Sequence, residues 1–596
     1  MNRFITIVLF LFFTSSAFAQ VDLEVNILSP NDGKPLPSIE VLIENPTIGY
    51  SNSSLTNSFG KVIFKGLSLA GSYRVFTKES ADYLEAEANG IELRSNFKRS
   101  ITLVIPKRRD KTLDELVVTA SRATAINTIN AEVSSEINIK KIQELPVEGR
   151  DITRMLFRLP NVSQSTGFYP EAPNVSINGA NGLYNNYMID GMDNNERFLG
   201  GQKFAIPVGF AQNVSVLTNN YSTEFGNTGN GIINVTSKSG SNEFGGEAFF
   251  ITRPGPSIDG ATDFLQRDLS GNQVKNGFQR YQSGFGFGGA IVKEKTFYYV
   301  NVEHTTDIKD NLLSSPAFGV NQTVRGENRF DYFSAKLDHK WSSNFSSSLR
   351  ANVGVVNIGR QAGGLTGGIG FPSAGNSQDR NSVLIANKNV ILGDNFKFEF
   401  NVQYSSFRWN YGKADNPTSP DVTVKDLTGQ AIAYLGHPGY LFDSHENTIQ
   451  LQEKLSIYKG NHTFKIGAEY IGANHELFGG GNPNGSYTVV LTQTELDALK
   501  AKNLGSDLGV YDIPSTAKVT SFSRELRPNS FGKLQSIFSF YAEDQFAATA
   551  KLNLTVFGNL HWCCFVAKHH YKWRTKFYRR RFHIRLGCYC GLTIYS

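Results

Sequence analysis

Five short segments decide the fold of this 596-residue chain: Asn174-Val-Ser-Ile-Asn-Gly179, Tyr187-Met-Ile-Asp-Gly-Met-Asp-Asn194, Val214-Ser-Val-Leu217, Tyr221-Ser-Thr-Glu-Phe-Gly226 and Gly231-Ile-Ile-Asn-Val-Thr-Ser-Lys-Ser-Gly-Ser241. Each combines a few apolar residues, many of them β-branched, with Gly, Asn or Asp, the residues that tight turns favour. Apolar runs of this length between such turns are typical of short strands. We therefore predict a small, compact, β-rich unit with no helix of consequence in this stretch.

Together the five segments resemble the plug domain of TonB-dependent outer-membrane receptors. The residues that carry the resemblance are turn-forming or polar: Asn178, Gly179, Asp190, Gly191, Glu224, Gly226 and Asn234. It implies a domain at 125–241 that blocks a barrel and moves when an inner-membrane energy transducer pulls on it. The residues expected in plug loops that face a ligand are aromatic: Phe168, Tyr169, Tyr184 and Tyr187. Ordinary packing against the barrel wall explains these four equally well.

Just before these segments, the stretch from Ile137 to Arg158 has apolar residues at helical spacing. Pro146 and Gly149 interrupt it, so one or two short helices are predicted. The plug-like unit as a whole is therefore expected to be a small α/β domain.

After the plug-like unit the sequence alternates between apolar and polar residues, most clearly over Phe396–Tyr404. Three pairs of such segments are joined by short turns: Phe285–Val292 with Thr296–Glu303, Ala335–Lys340 with Leu349–Val355, and Ile449–Ile457 with Phe464–Tyr470. Between them we expect long Gly- and Asn-rich connections at about 307–327, 359–380, 411–445 and 474–532. Short turns on one side and long loops on the other are typical of outer-membrane barrels.

The span 242–560 contains about eleven such strands, whereas receptors of this type enclose their plug with about 22 strands. The predicted fold class is thus mainly β: an N-terminal β-sandwich, a small plug and part of an antiparallel transmembrane barrel. An unpaired barrel edge would cost several kcal/mol for each unsatisfied backbone group in lipid. Residues 1–560 alone are therefore not expected to form a stable spanning barrel.

The N-terminus has the pattern of a cleaved secretory signal peptide at 1–19, with Arg3, an apolar core over Phe4–Phe13 and an Ala17-Phe-Ala19 cleavage site. Residues 21–106 then alternate in five short segments between turns, which predicts a small β-sandwich. The frame Asp32-Gly-Lys-Pro-Leu-Pro37 with Ser58–Leu67 resembles the carboxypeptidase-regulatory-like domain of Bacteroidetes-type receptors, both Oar-like and SusC-like. A spacer or docking role is favoured over sugar binding, and no peptidase is inferred.

A charged break, Lys107-Arg-Arg-Asp-Lys111, opens the linker predicted at 107–124. Its hexamer Glu115-Leu116-Val117-Val118-Thr119-Ala120 resembles a TonB box, the segment by which these receptors engage their energy transducer. β-branched residues in a linker favour an extended conformation, and an extended segment can add to the edge of a partner's sheet. Many β-strands look like this hexamer, so its position between sandwich and plug is the better argument.

The tail at 561–596 differs in composition from everything before it. It holds all four cysteines, Cys563, Cys564, Cys588 and Cys590, and eight basic residues without an acidic one. Those eight charges exceed the formal net charge of +6, so the rest of the chain is net acidic and nucleic acid is not an expected partner. We interpret the tail as a frameshifted reading of further barrel, beginning near Phe557. A zinc site is the rival interpretation, but the cysteine spacing does not match zinc motifs.

Three site types are disfavoured by the sequence. Gly284-Phe-Gly-Phe-Gly-Gly289 has no following Lys-Ser/Thr, so it is interpreted as a strand with outward Phe and inward Gly. Asp190–Glu196 lacks the spacing of a calcium loop and is interpreted as a turn. Catalytic motifs are absent, so no enzyme, metal or cofactor is predicted.

The resemblance implies uptake of a glycan, peptide or chelate across a Gram-negative outer membrane, energised through the TonB complex and without any chemistry on the ligand. Its expected partners are that complex, the outer membrane, a surface lipoprotein and a small ligand of unknown identity. Two alternatives remain open: a non-transporting surface or adhesion protein of Oar-like architecture, and a non-functional remnant, truncated or frameshifted.

Overall fold

The computed structural model describes most of the chain. The described residues are 20–30, 33–68, 71–80, 82–93, 99–106, 132–138, 148–164, 175–226, 228–255, 278–360, 368–482, 484–525, 530–549, 552–568 and 583–594. The predicted signal peptide, the linker with Glu115–Ala120, and Phe168 and Tyr169 lie outside these ranges.

The N-terminal unit is a sandwich of two sheets, as predicted. Its strands are β1 (Gln20–Leu28), β2 (Glu40–Asn45), β3 (Tyr50–Leu55), β4 (Lys61–Ser68), β5 (Ser72–Thr77), β6 (Ala86–Glu92) and β7 (Arg99–Val104). One sheet has the order β4-β1-β7 and the other β3-β2-β5-β6. Alternate residues of β1 and β2, among them Val25 and Ile43, are fully buried between the sheets because each strand exposes only one of its faces.

The plug-like unit contains a five-stranded sheet of order β12-β11-β14-β13-β8 and a separate pair β10-β9. Its elements are β8 (Val133–Asn138), α1 (Ile152–Leu156), β9 (Val162–Gln164), β10 (Val175–Ile177), β11 (Asn186–Ile189), β12 (Met192–Asp193), β13 (Ala211–Asn219) and β14 (Ile232–Ser237). The helical prediction is wrong at Ile137, which lies in β8 and pairs with Val214. The short helix α1 confirms it over Ile152–Leu156, where Asp151 caps the first turn.

Twelve antiparallel strands then form one continuous sheet, which we call the wall. They are β15 (Gly245–Arg253), β16 (Phe278–Val292), β17 (Thr296–Ser315), β18 (Val320–Lys340), β19 (Phe345–Arg360), β20 (Asn376–Leu392), β21 (Phe396–Ala414), β24 (Leu441–Lys459), β25 (His462–Gly480), β28 (Ser530–Thr549), β29 (Leu552–Lys568) and β30 (His583–Ile594). The three predicted hairpins are confirmed as β16–β17, β18–β19 and β24–β25. Within the described residues β15 and β30 are the two edges of the sheet, so the wall is an open one.

The last strands correct the prediction for the end of the wall. The expected strand Lys551–Val556 extends to Lys568 as β29, and β30 was not predicted. Backbone pairing uses N–H and C=O groups that nearly every residue has, so a strand can continue where the alternation of side chains stops. Eleven strands of the wall begin within 242–560, as predicted, and β30 is the twelfth.

Most of the wall has the reverse of a soluble protein's polarity. In β21 up to residue 405 the buried residues are Glu399, Asn401, Gln403 and Ser405, while Phe400 and Tyr404 are exposed. Apolar side chains outside and polar side chains inside are expected where lipid surrounds a sheet that encloses polar groups. In the described part of the chain, no helix is both long and apolar enough to cross a membrane.

Short turns at 293–295, 341–344, 393–395 and 460–461 lie on one side of the wall, which we call the short-turn side. The opposite side, which we call the long-loop side, corrects the first of the long Gly- and Asn-rich connections that were predicted. Residues 307–327 mostly continue β17 and β18, with a tip at Pro316–Phe318. The other connections contain β22 (Asp421–Lys425), β23 (Ala431–Gly436), β26 (Ser486–Val490), α2 (Gln493–Ala501) and β27 (Lys518–Ser523).

These loop elements build a subdomain with its own core, which we call the loop domain. Its sheet has the order β23-β22-β26-β27, and α2 packs on it through buried Leu496 and Leu499. The helix starts with a reciprocal capping box in which Thr492 and Glu495 bind each other's backbone N–H. Phe318 from the β17–β18 tip and Phe371 from the β19–β20 loop join the same core. Loops from four hairpins are thus tied together.

Candidate functional site

Strand β24 runs the full height of the wall, and its inward side chains contact the plug-like unit at successive levels. Its inward residues are Phe442, Ser444, Glu446, Thr448, Gln450 and Gln452, all buried. The outward residues Ile449 and Leu451 are exposed. Since a strand rises about 3.3 Å per residue, positions along β24 measure height within the site. We divide the site by height along β24: the lower and middle parts, towards the short-turn side, are held by ionic contacts, and the upper part, towards the long-loop side, is aromatic.

In the middle part, the ammonium group of Lys203 of the plug-like unit binds three oxygen atoms of the wall, and Asp193 Oδ2 of the plug-like unit lies 3.6 Å from it. Its Nζ lies 2.8 Å from Glu446 Oε1 and donates to Ser405 Oγ at 3.0 Å and Thr448 Oγ1 at 2.9 Å. The Lys203 side chain has 0% exposure. A buried ammonium group with three oxygen partners is satisfied, whereas the same group without them would be strongly destabilising.

Arg197 and Asp193 extend this cluster. Arg197 Nη2 lies 2.9 Å from Asp193 Oδ1, and the Arg197 backbone N–H donates to Glu446 Oε2 at 3.0 Å. The backbone of Asp193 is also hydrogen-bonded to the wall. Its N–H donates to Gln450 Oε1 at 2.9 Å, and its C=O accepts from Gln403 Nε2 at 2.6 Å. Strand β12 is thus fixed to the wall by main-chain as well as side-chain bonds.

Asp190 forms a second ionic contact, with Arg350 of β19. Its Oδ2 lies 3.2 Å from Arg350 Nη1, and its carboxylate accepts from the Ser237 N–H at 2.8 Å and the Ser237 hydroxyl at 2.7 Å. Burial alone would raise the pKa of Asp190, but the nearby Lys336 and Arg350 cations and the Ser237 bonds hold it below its usual range. Asp190 is therefore an ionised link between plug-like unit and wall.

The lower part is organised around Glu224. Its carboxylate lies 3.1 Å from Lys454 Nζ and 2.9 Å from Lys465 Nζ. Burial opposes ionisation, but these two ammonium groups hold the pKa of Glu224 well below its usual range. Beside it, Glu543 of β28 accepts from the Ser222 hydroxyl at 2.8 Å and the Thr223 N–H at 3.0 Å.

In two other plug carboxyl groups the effect of burial outweighs that of the neighbouring cations and hydrogen bonds. Burial raises the pKa of Glu132, next to β8, to about 8, and the neighbouring carboxylates Glu224 and Glu543 act in the same direction against Lys465. Burial likewise raises the pKa of Glu196 to about 7, with repulsion from Glu446 as the next cause. The Glu196 carboxylate accepts from the Leu199 N–H at 2.7 Å. Both groups therefore change charge near neutral pH.

A glycine brings the plug-like unit against β17. The N–H of Gly209 donates to Glu303 Oε1 at 2.7 Å, and its C=O accepts from the Tyr299 hydroxyl at 3.0 Å. A Cβ on Gly209 would lie 2.3 Å from Asn301 Nδ2, so the absence of a side chain permits this approach. The Tyr299 ring in turn packs beside Gly286 and Gly288. A Cβ added at Gly286 would lie 2.6 Å from the Tyr299 hydroxyl oxygen, and one added at Gly288 would lie 2.7 Å from Tyr299 Cδ2. The outward-Phe, inward-Gly interpretation of β16 is confirmed.

The upper part is aromatic. Phe198 of the plug-like unit packs edge-on to Phe442 at 5.5 Å and lies 5.7 Å from the His475 ring. Trp409 and Tyr411 of β21 complete the cluster, with ring centroids 5.5 and 5.1 Å from Phe442. The turn that carries Phe198 is closed by a bond from the Glu196 N–H to the Gly201 C=O of 2.8 Å. We call these five rings the aromatic cluster.

The structure divides the predicted signature residues into two groups. Asp190 and Glu224 face the wall, as described above. The others build turns inside the plug-like unit: Asn178, Gly179 and Gly191 have left-handed backbones, Asn234 Oδ1 accepts from the Gly191 N–H, and the Gly226 C=O accepts from Asn186 Nδ2. Their role is thus to shape the unit that presents the two carboxylates.

The structure describes two of the four aromatic residues predicted to face a ligand, and it places these two in different surroundings. Tyr184 is 61% exposed, but Tyr187 is 3% exposed and lies in the core of the plug-like unit. Tyr187 occupies β11, where both sheet faces are covered, so it packs instead of facing outward. Sequence reasoning missed Phe198 and Trp409. The available signal was at the inward positions of β21, which change from Gln403 and Ser405 to Phe407 and Trp409.

The turn interpretation of Asp190–Glu196 agrees with the geometry, because Asp190, Asp193 and Glu196 bind different partners. Within the described residues, no group of three or more His, Cys, Asp or Glu side chains is arranged to hold a metal ion.

Two family models match separate parts of the chain. The TonB-dependent receptor plug domain matches residues 126–232, and an outer-membrane β-barrel domain matches residues 310–556. Among curated proteins, the TonB-dependent transporter Oar of Myxococcus xanthus is 23% identical over 391 residues. That match covers 60% of this chain and 36% of the relative, so this chain spans just over a third of the relative's length.

Solved structures with a similar fold include the outer membrane transporter YddB from Escherichia coli, with a TM-score of 0.53 and 15% identity. The match covers 72% of this chain and 56% of that one. The FpvAI–pyocin S2 complex gives a TM-score of 0.52 at 11% identity, covering 78% of this chain and 56% of that one. At these identities the likeness concerns the fold alone.

Proposed function

The chain belongs to the TonB-dependent outer-membrane receptors, and on that premise we propose that its plug gates the uptake of a small ligand through the wall. The observation that carries the proposal is the arrangement along β24. The plug is bound at five positions of one wall strand, which are Phe442, Glu446, Thr448, Gln450 and Lys454. A domain bound in this way blocks passage until those contacts are released.

The energy for release would come through the segment Glu115–Ala120 from the TonB complex. The placement of the described residues supports this role. The linker leads directly to Glu132 and β8, and β8 is an edge strand of the plug sheet that pairs only with β13 among the described strands. Edge strands are held on one side, so they are removed more easily than central ones. A pull on the linker would reach the weakest strand of the plug first.

The ligand would meet the plug at the aromatic cluster. This cluster lies on the long-loop side, above the ionic contacts, with the loop domain beyond it. Phe442 and Trp409 are buried, but Phe198, Tyr411 and His475 are partly exposed, and aromatic rings offer flat apolar faces to sugar rings or to peptide side chains. A glycan or peptide therefore suits this surface better than a highly charged chelate. A surface lipoprotein that delivers such a ligand would be an additional partner on the same side.

The proposed test is deletion of the gene followed by growth on single nutrients. Loss of growth on one glycan or peptide, restored by the intact gene and not by a Val118→Pro variant, is the expected result. Proline at position 118 removes a backbone N–H needed for strand addition to the transducer. The matched control is Ala123→Pro, outside the hexamer, which retains uptake.

Other outcomes of this test would select another function. Intact uptake with lost surface attachment would favour the adhesion protein, for which the folded loop domain is the supporting observation. Absence of any heat-modifiable protein of this size from outer membranes would favour the remnant. Either result contradicts the proposed transport.

We also propose that the tail comes from a shifted reading frame. The barrel family match ends at residue 556, next to the position where the composition changes. The pairing of β29 with β30 is compatible with this origin because it involves backbone groups. Resequencing the gene and translating the other frames is the test, and the proposal is wrong if neither frame continues with alternating strands.

A further inference from the structure

The N-terminal sandwich lies against the short-turn side of the wall and contacts it at separated points. At one end, the Thr47 C=O accepts from the Asn242 N–H at 3.1 Å, and the Asn242 side chain accepts from the Glu294 N–H at 2.7 Å. Gly49 lies beside the same turn: its φ is 62°, and an added Cβ would lie 2.4 Å from Glu294 Oε1. Lys340 Nζ lies 5.6 Å from the centre of the Tyr50 ring.

At the other end, Asp22 and Lys65 contact the turn 393–395 and the base of β24. Asp22 accepts from the Tyr458 hydroxyl and lies 3.8 Å from Lys397 Nζ. Lys65 Nζ donates to the Asp394 C=O and lies 4.8 Å from the centre of the Tyr458 ring. The Asp22 and Lys397 side chains are each only 12% exposed, so this ion pair is largely removed from water.

The sandwich therefore fixes one end of the linker. The chain is held in the sandwich through Pro106, whose C=O accepts from the Leu84 N–H at 2.9 Å. The other end is fixed in the plug, where β8 begins at Val133 and pairs with β13. Between these points lie residues 107–131, including Glu115–Ala120.

We propose that the sandwich is a docked anchor, so that the chain is fixed to the wall before residue 107 and to the plug after residue 131. A pull on Glu115–Ala120 is then divided between β8 of the plug and the interface of the sandwich with the wall. One ion pair, one bond between backbone groups and a few side-chain hydrogen bonds and cation–π contacts suit a contact that releases under load, as interfaces between domains of one chain commonly do. The division of the pull rests on the proposed function; the docking does not.

The experiment separates docking from covalent attachment. A site for a specific protease replaces residues 107–111 in the full chain, and outer membranes carrying it are cleaved and sedimented. The expected result is that the sandwich fragment stays with the membranes after cleavage at both low and high salt, because the Asp22–Lys397 pair is largely shielded from water and salt. Release of the fragment at low salt as soon as the linker is cut would overturn the proposal.

Two variants make this readout specific. Asp22→Asn removes the carboxylate that contacts Lys397 and Tyr458, and a several-fold loss of retained fragment is expected. Glu87→Gln is the matched control: it removes a carboxylate from the same domain, where Glu87 pairs with Arg74 at 2.6 Å on an exposed surface. Equal retention of Asp22→Asn and Glu87→Gln would contradict the assigned contact.

Disulfide cross-linking tests the same contact without relying on variants that can fail to fold. In a chain whose four cysteines are replaced by serine, Thr47→Cys with Asn242→Cys is expected to form a disulfide, because their backbones are hydrogen-bonded. The mismatched pair Lys65→Cys with Asn242→Cys is expected to form none; equal cross-linking of both pairs overturns the docking geometry. Both readouts work without a ligand. A docked sandwich without uptake contradicts only the proposed transport, and uptake with a released sandwich contradicts only this inference.

Discussion

The lower and upper parts of β21 and β24 share one continuous register but have opposite polarity. Pairing runs without a shift from Phe396 with Ile457 to Asn410 with Asp443. In the lower part Tyr404 faces outward and Gln403 inward. In the upper part Arg408 faces outward, bound to Asp443 at 2.7 Å, and the aromatic cluster faces inward. Because no bulge separates them, the inversion reflects a change of surroundings and not of backbone.

The lower and upper parts of these two strands therefore have different roles. The lower part has lipid outside and holds the plug through buried ions, which are costly to expose one at a time. The upper part has water outside, so charged pairs face outward there and apolar rings cover the tip of the plug. The boundary lies near Tyr404 and Ile449, which pair with each other.

The largest expected effect would come from breaking the lower and middle ionic contacts. Lys203→Met leaves Glu446 buried with one cation fewer and should lower the free energy of unfolding by about 3–5 kcal/mol. The measurement is denaturant unfolding of the purified protein in detergent. Adding Glu446→Gln removes the stranded charge and should restore part of the loss. If the double variant is as unstable as Lys203→Met alone, the buried charge is not the cause.

The boundary between lipid and water can be located more closely by placing one charge at two heights on the outward face of β24. Ile449→Arg puts a cation among lipid tails and should cost about 2–4 kcal/mol, whereas Asn447→Arg, two residues higher, should cost less than about 1 kcal/mol. The measurement is folding into lipid vesicles, followed by heat-modifiable mobility. Equal costs would place the boundary elsewhere.

The third effect is a dependence on pH. The pKa of Glu196 is raised to about 7 in the folded chain, so the folded chain binds this proton more tightly than the unfolded chain does. Stability from this group is therefore fully present below about pH 4.5 and is lost as pH rises to about 7, by roughly 1–3 kcal/mol. Thermal unfolding from pH 5 to 8 measures it. Glu196→Gln should flatten that part of the profile; an unchanged slope would show that other groups cause it.

The smallest effect concerns the upper part. Phe198→Ala removes one ring of the aromatic cluster, and an aromatic pair contributes about 0.5–1.5 kcal/mol. Apparent affinity in uptake should fall by roughly tenfold or less, with little change in maximal rate. The control is Tyr511→Ala, because Tyr511 is 94% exposed in the loop domain. If both variants bind equally well, the ligand does not contact the cluster.

Much of the fold could be predicted from local patterns. Alternation over Phe396–Tyr404 identified a strand and its two faces, and turn residues such as Gly191 identified the plug. The sandwich followed from its regularly spaced apolar segments. These features depend on residues close in sequence, where steric preferences and period-two faces act directly.

The loop domain and most of the site could not be predicted in this way. Val422, Leu435 and Leu499 form one core although they come from two separate connections, and no local pattern shows that they meet. The partners of Lys203 lie more than 200 residues away in β21 and β24. Tyr187 was misassigned because an aromatic residue near a turn can face outward or into a core, and only the tertiary packing decides.

The central claim is that the plug must leave its contacts with the wall before a ligand passes. Gly209→Cys with Asn301→Cys in a cysteine-free chain tests it most directly, because a Cβ at Gly209 would lie 3.3 Å from Asn301 Cγ. Ligand uptake by cells is measured before and after reduction of this disulfide. No uptake is expected while the plug and the wall are cross-linked, and uptake should recover after the disulfide is reduced. Uptake at the same rate with the disulfide intact would contradict it.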